Sequence, residues 1–478
     1  MCSLKICKMI DLMTPGGQMS KKSIEIDMTS GPILPKLLMF SIPLILSSIL
    51  QLLFNAADVI VVGQFAGKEA LAAVGSTGSL VNLLVNLFVG LSVGSNVAAA
   101  TYYGAGKKDL IHKTVHTSVL LSFISGIILT VVGVCFTKYF LRWMNSPENV
   151  IGLSTLYLRI YFAGITATMV YNFGSALLRA KGDTLRPLFI LLIAGVINFL
   201  LNLLFVIVFR MSVAGVALAT VISQCLAAGA VIFFLVKEKG DFNLDLRKLG
   251  IDKTVLLKIL NVGVPAGVQG ILFSFSNVII QSAINGFGDI EVAGSSASAS
   301  VEGFVWTTMN GFAQGALTFV SQNYGAGKIE RIKKSVITAV LTAATAGLIL
   351  GNLVVLFGKQ ILSIYSKDTS VIDAAYVRLQ FICCPYLLCG IMDTMASSIR
   401  GIGHSLVPTL VTLVGACLSR ILWIMTVFTI PRFHTPQMIF ITYPLSWILT
   451  FTVLLGCFIF FYSRLKKSYS SQKENESL

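Results

Sequence analysis

LLRAKGDTLRPLF at residues 177–189 returns as SIRGIGHSLVPTL at 398–410, and TYYGAGKK at 101–108 returns as QNYGAGKI at 322–329. Arg179 and Arg400, Pro187 and Pro408, Tyr103 and Tyr324, and Gly106 and Gly327 each stand 221 residues apart. Two motifs repeated at one offset mean a duplicated unit. The unit is strongly apolar. The chain is 55% hydrophobic and 12% charged with a mean hydropathy of +0.84, and charge at about half its usual share excludes an ordinary soluble globule.

A chain of 478 residues has room for twelve spans of roughly 20 residues each. Apolar runs between charge clusters predict helices over 37–62, 70–101, 113–135, 151–178, 187–209 and 212–236, then 255–284, 292–323, 333–357, 371–399, 406–430 and 438–463. Runs of this length point to helices, because a barrel strand needs only about ten alternating residues. The expected fold is therefore an all-α integral membrane bundle: twelve transmembrane helices in two pseudo-symmetric six-helix lobes around a central cleft. Its expected divisions are an N-terminal segment 1–36, an N-lobe 37–236, a charged linker 237–254, a C-lobe 255–463 and a polar tail 464–478. Six helices per half return the chain to the same side, so the halves are related by an axis along the membrane normal.

The net charge of +15 follows topology. Lys and Arg gather on alternate connections, 26 of the 36 by this reading, including Arg179, Lys181, Arg186 and Arg400. That is the positive-inside pattern, and it predicts a multi-pass protein of the plasma (inner) membrane with both termini cytoplasmic. No basic stripe interleaved with aromatics suggests a nucleic-acid partner. The nine cysteines show neither disulfide nor zinc spacing. Met19, ahead of Ser-Lys-Lys, is an alternative start to Met1, and the tail SYSSQKENESL is expected to be disordered.

Apart from Asp373, two residues into its span, three carboxylates fall inside predicted spans: Asp58, Glu302 and Asp393. Asp at a helix centre costs roughly 2.5–3.5 kcal/mol on insertion scales, so such a group faces a cavity or a partner. Gln51, Asn55 and Asp58 stand at i, i+4 and i+7 on one helical face. Asn172 with Ser175, and Asn198 with Asn202, form similar stripes, and these polar faces are expected to converge inside the first lobe. Burial disfavours the ionised carboxylate, so Asp58 is expected either to load and release a proton or to stay permanently hydrogen-bonded to Asn55 or Asn202. Pro43 in the same helix supplies a place to bend. Asp58 has no acidic counterpart in the second half, where alignment of Pro43 with Pro265 sets Ile280 opposite it. Two readings are open for each second-lobe acid. Glu302 is either solvated near the outer surface or a direct ligand, and Asp393 is either the ion-pair partner of Arg420 or a direct ligand.

At this point the chain resembles the multidrug and toxic compound extrusion (MATE) family over about residues 35–465. The resemblance rests on SIPLILSSILQLLFNAADVIVVG, both YGAGK loops, both Arg-x-x-Gly-x-x-x-x-Pro runs and NFLLN at 198–202. It implies cation-driven efflux of varied organic compounds, often cationic and aromatic, and a first helix bending at Pro43. Gln51, Asn55, Asp58 and Asn198 match the polar face of the DinF-type branch, and Asn172 falls on a helix lining the same chamber. Asn202 stands where some relatives carry a second Asp, and Phe273 where the NorM-type branch has a Glu. The coupling ion is thus H+ or Na+, with Na+ at Asp58 or Asp393 in the second case. A lipid-linked precursor or oligosaccharide flippase of related two-lobe design is the alternative, since Arg159, Arg378 and Arg420 fall within spans. No catalytic motif, resident metal or cofactor is indicated, and a monomer suffices.

Overall fold

The computed structural model describes residues 25–144 and 147–477; the two candidate starts, Met1 and Met19, lie outside them. Twelve long helices run in order: α1 (Ile33–Phe65), α2 (Lys68–Gly104), α3 (Lys108–Trp143), α4 (Glu148–Ala163 with Ile165–Lys181), α5 (Leu185–Leu203, continued by a wide turn Leu204–Val208) and α6 (Ser212–Lys237). The second set is α7 (Lys253–Asn285), α8 (Asp289–Gly325), α9 (Ile329–Leu356), α10 (Thr369–Cys383 with Tyr386–Gly401), α11 (Leu406–Thr412, a wide turn Leu413–Leu418, and Ser419–Met425) and α12 (Thr442–Ser477). Among the described residues nine helices are long and apolar enough to cross a bilayer, and α4 and α10, each bent by 47°, make one more apiece. The remaining helix is α8, whose stretch from Thr307 to Asn323 is almost wholly buried. A helix that meets protein on every side has no need of a lipid-facing apolar surface.

The duplication is written into the backbone. Gly67 and Gly288, Gly106 and Gly327, and Gly182 and Gly403 all have positive φ at the same 221-residue offset. The bend of α4 at Gly164 and that of α10 at Pro385 obey it as well. At Gly106 and Gly327 the reversal after YGAG needs a left-handed residue, which glycine adopts without strain.

The lobes meet through pseudo-symmetric glycine contacts. A Cβ on Gly90 or Gly94 of α2 would collide with the backbone of Gly267 or Gly263 of α7. Their repeat partners, Gly311 and Gly315 of α8, meet α1 instead, at Ile45 and Ser41. In one seam backbone lies on backbone, whereas in the other two side chains stand between. Close approach matters here because lipid gives helices no hydrophobic drive to associate.

The basic end of the molecule is stitched shut. Thr318 donates to Asn96 across the lobes at 3.2 Å, and Gln322 donates to the Ala180 carbonyl at 2.8 Å. Residues 25–31 cross the same end as a strap. Ile26 N–H donates to the Gly182 carbonyl in the first lobe. In the second lobe Asn323 and Arg331 both donate to the Met28 carbonyl, and Lys328 donates to that of Thr29. Met28 is fully buried beside Phe40 and Phe319. Lys181, Glu25 and Glu238 form a tight cluster, with Nζ–O distances of 2.6 and 3.2 Å. The linker is docked as well: Phe242 and Leu244 are 1% exposed within the first-lobe core. One expectation fails. The polar tail continues α12 as helix to Ser477, held on α9 by Lys466–Glu330 at 3.0 Å and on the preceding turn by Tyr469 against Gly327.

Two predictions follow the two seams. Gly90→Ala is expected to lower the melting point of the detergent-purified protein, by a loss of roughly 1–3 kcal/mol, because the facing backbone cannot yield. Gly311→Ala is expected to cost less, since a side chain rather than backbone must yield and alanine's helix preference of about 1 kcal/mol offsets part of the crowding; equal melting points for the two variants would contradict the asymmetry. For the strap, burial works against the charges of Asp27 and Glu238. Hydrogen bonds from Ser30 and Thr29 outweigh it at Asp27, and Lys181 with Arg186 does so at Glu238, so both carboxyls are held below their ordinary values of 3.8 and 4.5. Depressed carboxyls stabilise the fold above their unfolded values and lose that contribution as pH falls through the folded ones. Hydrogen-exchange protection of residues 25–31 is therefore expected to be full at pH 6 and to fall below about pH 4; protection unchanged on acidification counts against the assignment.

Candidate functional site

Asp58 lies half-buried on α1, facing α5. Asn202, fully buried, donates to Asp58 Oδ1 at 2.5 Å and to Asn198 Oδ1 at 3.2 Å. Asn198 donates to Thr220 Oγ1 of α6 at 3.4 Å, and with its amide turned over its nitrogen stands 2.9 Å from Asp58 Oδ1. The Asn202 carbonyl oxygen is buried with no donor among the described residues.

This arrangement has two hydrogen-bonding states. An ionised Asp58 accepts only, so both amides turn their NH2 groups towards it. A protonated Asp58 can donate, and an amide that turns over then presents its carbonyl. The orphan Asn202 oxygen is the acceptor such a switch requires. Hydrogen bonds bring Asp58, Asn198 and Asn202 together; the other polar residues of the expected face stand further out. Gln51 and Asn55 are exposed, Asn172 is half-buried, and none of the three hydrogen-bonds to Asp58. Thr220 carried no sequence signal, because it is an ordinary member of an apolar run.

A cavity of about 620 Å³ opens into the second lobe between α7, α8, α10, α11 and α12, with Asn86 of α2 on its first-lobe side. Glu302 is 8% exposed rather than solvated at an outer surface. Arg378 grips it bidentately, Nε to Oε1 at 2.8 Å and Nη2 to Oε2 at 3.0 Å, and Ser298 donates to Oε1 at 2.8 Å. Of the two readings of Asp393, the ion pair with Arg420 is absent. Arg420 bonds Ser446 Oγ at 2.9 Å and lies over the Tyr443 ring at 4.2 Å, while Asp393 makes no ion pair among the described residues and touches Cys389 Sγ at 4.0 Å. A six-residue wide turn, Leu413–Leu418, immediately precedes Arg420 and shifts its place around the helix relative to a regular count. Arg400, counted with the loop charges, instead lines the cavity and donates to Gln269 of α7.

A duplicated bundle with an acid–amide cluster in one lobe and a charged chamber in the other defines a multi-pass membrane transporter. Residues 43–204 and 265–425 match the MatE family, one stretch per lobe, and the chain belongs to that family. It is 30% identical over 382 residues to the probable multidrug resistance protein YoeA of Bacillus subtilis, covering 78% of this chain and 82% of that one. It is 24% identical over 402 residues to the probable multidrug resistance protein NorM of Thermotoga maritima, covering 81% of this chain and 84% of the relative. Among solved structures, the outward-facing conformation of a multidrug resistance MATE family transporter superimposes with a TM-score of 0.87 at 22% identity, over 93% of this chain and 99% of that one.

Removing one member of a buried pair strands the other. Glu302→Gln is expected to destabilise the second lobe by about 3–5 kcal/mol, and adding Arg378→Met is expected to recover most of that loss. Thermal melting of the single and double variants checks it; additive losses would show that the two groups do not act as a pair.

Proposed function

We propose that this chain is a secondary antiporter of the plasma membrane that expels organic compounds as H+ or Na+ enters, with its basic end and both termini cytoplasmic. The observation that carries the reading is the bond from Asn202 to Asp58, beside an Asn202 oxygen left without a donor among the described residues. A carboxyl set among neutral amides changes its partners when it gains or loses a coupling ion. The relatives named as multidrug resistance proteins support drug export.

The linkage from ion to cleft runs through α1. It carries Asp58, contains Pro43 within an unbroken helix, and meets α8 through Ser41 and Ile45 rather than backbone. Proline leaves one carbonyl of the preceding turn without its helical donor, so bending costs less there. A change at Asp58 alters the tie between α1 and α5, which biases the helix held least tightly at the lobe seam. The ligand then has to prefer one arrangement over the other for exchange to occur. A flippase reading is not favoured by these relatives, and the described residues hold twelve long helices rather than two more.

The test is efflux of a panel of fluorescent dyes of both charges from proteoliposomes under an imposed pH or Na+ gradient. Asp58→Asn keeps the size of the side chain and is expected to slow gradient-driven efflux by at least about tenfold. A parent rate from this variant would remove Asp58 from the coupling role.

A further inference from the structure

The charges of the second-lobe cavity do not cancel. Three guanidiniums, Arg378, Arg400 and Arg420, face it together with two carboxylates, Glu302 and Asp393. Arg378 is fully engaged: Nε and Nη2 hold Glu302, and Nη1 donates to Ser295. That pair is closed and neutral. Asp393 is left opposite two guanidiniums, with no ion pair to either. The guanidiniums also have donors to spare. Arg400 Nε is buried without a partner among the described residues. Arg420, 3% exposed, uses Nε on Ser446, and its two terminal nitrogens have no hydrogen-bond partner among the described residues.

These charges are not required by the scaffold. At the 221-residue offset the first lobe carries Val81 for Glu302, Tyr157 for Arg378, Asn172 for Asp393 and Phe199 for Arg420. Only Arg400 has a charged counterpart, Arg179. The same helices therefore pack without the network, and buried unpaired guanidinium groups are costly to keep unless something accepts from them. The cavity walls say what kind of body the acceptor belongs to. Tyr386 and Trp447 lie 5.4 Å apart and Tyr443 and Trp447 6.0 Å apart, with Trp306 and Phe273 also facing the space.

We propose that this cavity binds a small aromatic anion, a carboxylate or sulfonate bearing one negative charge, seated with its acid group on Arg400 and Arg420. The proposal rests on the transport reading above and names the substrate class that such a carrier moves. The planar fork of arginine matches the paired oxygens of such a group, and the ring stacks on the aromatic wall. One negative charge balances the positive charge left over. An organic cation meets the reverse situation: the cavity's one carboxylate without an ion-pair partner is already opposed by two arginines, and a third cation adds repulsion in a low-dielectric space. A volume of about 620 Å³ lies within the usual range of roughly 300–1,000 Å³ for such sites.

The test uses the full-length protein in phosphatidylcholine nanodiscs, without any gradient. Equilibrium binding is compared for radiolabelled naphthalene-2-sulfonate and 2-naphthyltrimethylammonium, which share a ring and differ in charge. The sulfonate is expected to bind at least about tenfold more tightly than the ammonium ion, the scale of one charge-assisted contact. Arg420→Gln is expected to weaken sulfonate binding by a similar factor, with Arg420→Lys in between because the charge is kept and the fork is lost. Asp393→Asn is expected to tighten it severalfold by removing the competing carboxylate. Each variant is compared at a melting point close to the parent's; if Arg420→Gln does not fold, Asp393→Asn and the ligand pair still decide. Equal or tighter binding of the ammonium ion, or weakened sulfonate binding in Asp393→Asn, overturns the proposal. Loss of sulfonate binding in phosphatidylglycerol discs reassigns the anion to a lipid headgroup and overturns it too. Efflux of other dyes without sulfonate binding sinks this proposal alone, whereas sulfonate binding with gradient-insensitive Asp58→Asn efflux sinks only the antiport reading.

Discussion

The two lobes are joined where helix backbones touch. Gly90 and Gly94 of α2 lie directly on Gly267 and Gly263 of α7, and no side chain fits between them. Within a bilayer this contact cannot come from apolar burial, which lipid supplies equally well; it comes from dispersion at close range. It fixes one seam of the molecule. The symmetry-related seam between α1 and α8 keeps its glycines on one side only, with Ser41 and Ile45 on the other. A duplicated architecture thus acquires a tight side and a looser side, and the looser one carries Asp58.

The lobes differ as much in chemistry as in their seams. The first places a lone acid among amides that can turn over, so its polar interior suits a change in bound ion. The second locks one acid to an arginine, leaves two further arginines with free donors, and surrounds them with aromatic rings. At equivalent positions the first lobe holds Val81, Tyr157, Asn172 and Phe199. Duplication conserved the helices and their glycine turns and left the interiors free to diverge. The two proposed roles, ion coupling in the first lobe and ligand binding in the second, rest on that divergence. The strap of residues 25–31, the docked linker and the helical end of α12 all reinforce the basic end.

Much of this was legible in the chain. A constant offset between motifs gives the duplication, since equal spacing demands equal structure between the repeated turns. Asp58 stood out because an acid in an apolar run is costly, and its pairing with Asn202 follows from both facing inward. The arginines were harder. Lys and Arg near span ends were assigned to connecting loops by chain position, but Arg400 in the last turn of α10 points back into the lobe, and Lys181 is buried between two glutamates. The end of α12 was misread because polar composition alone marks it as tail, whereas Tyr469 and Lys466 find partners on α9 and its preceding turn.

Sequence alone determined the membrane class, the helix count, the two-lobe plan and the identity of the first-lobe acid, because hydropathy, spacing and the cost of buried charge are local properties of the chain. Only the folded molecule decided which charges neutralise each other. Glu302 and Arg378 are 76 residues apart, and Arg420 reaches Ser446 instead of Asp393. Such pairings depend on helix rotation, on the wide turn of α11 and on distances of a few ångströms between remote segments, none of which is encoded in the order of residues within any single span.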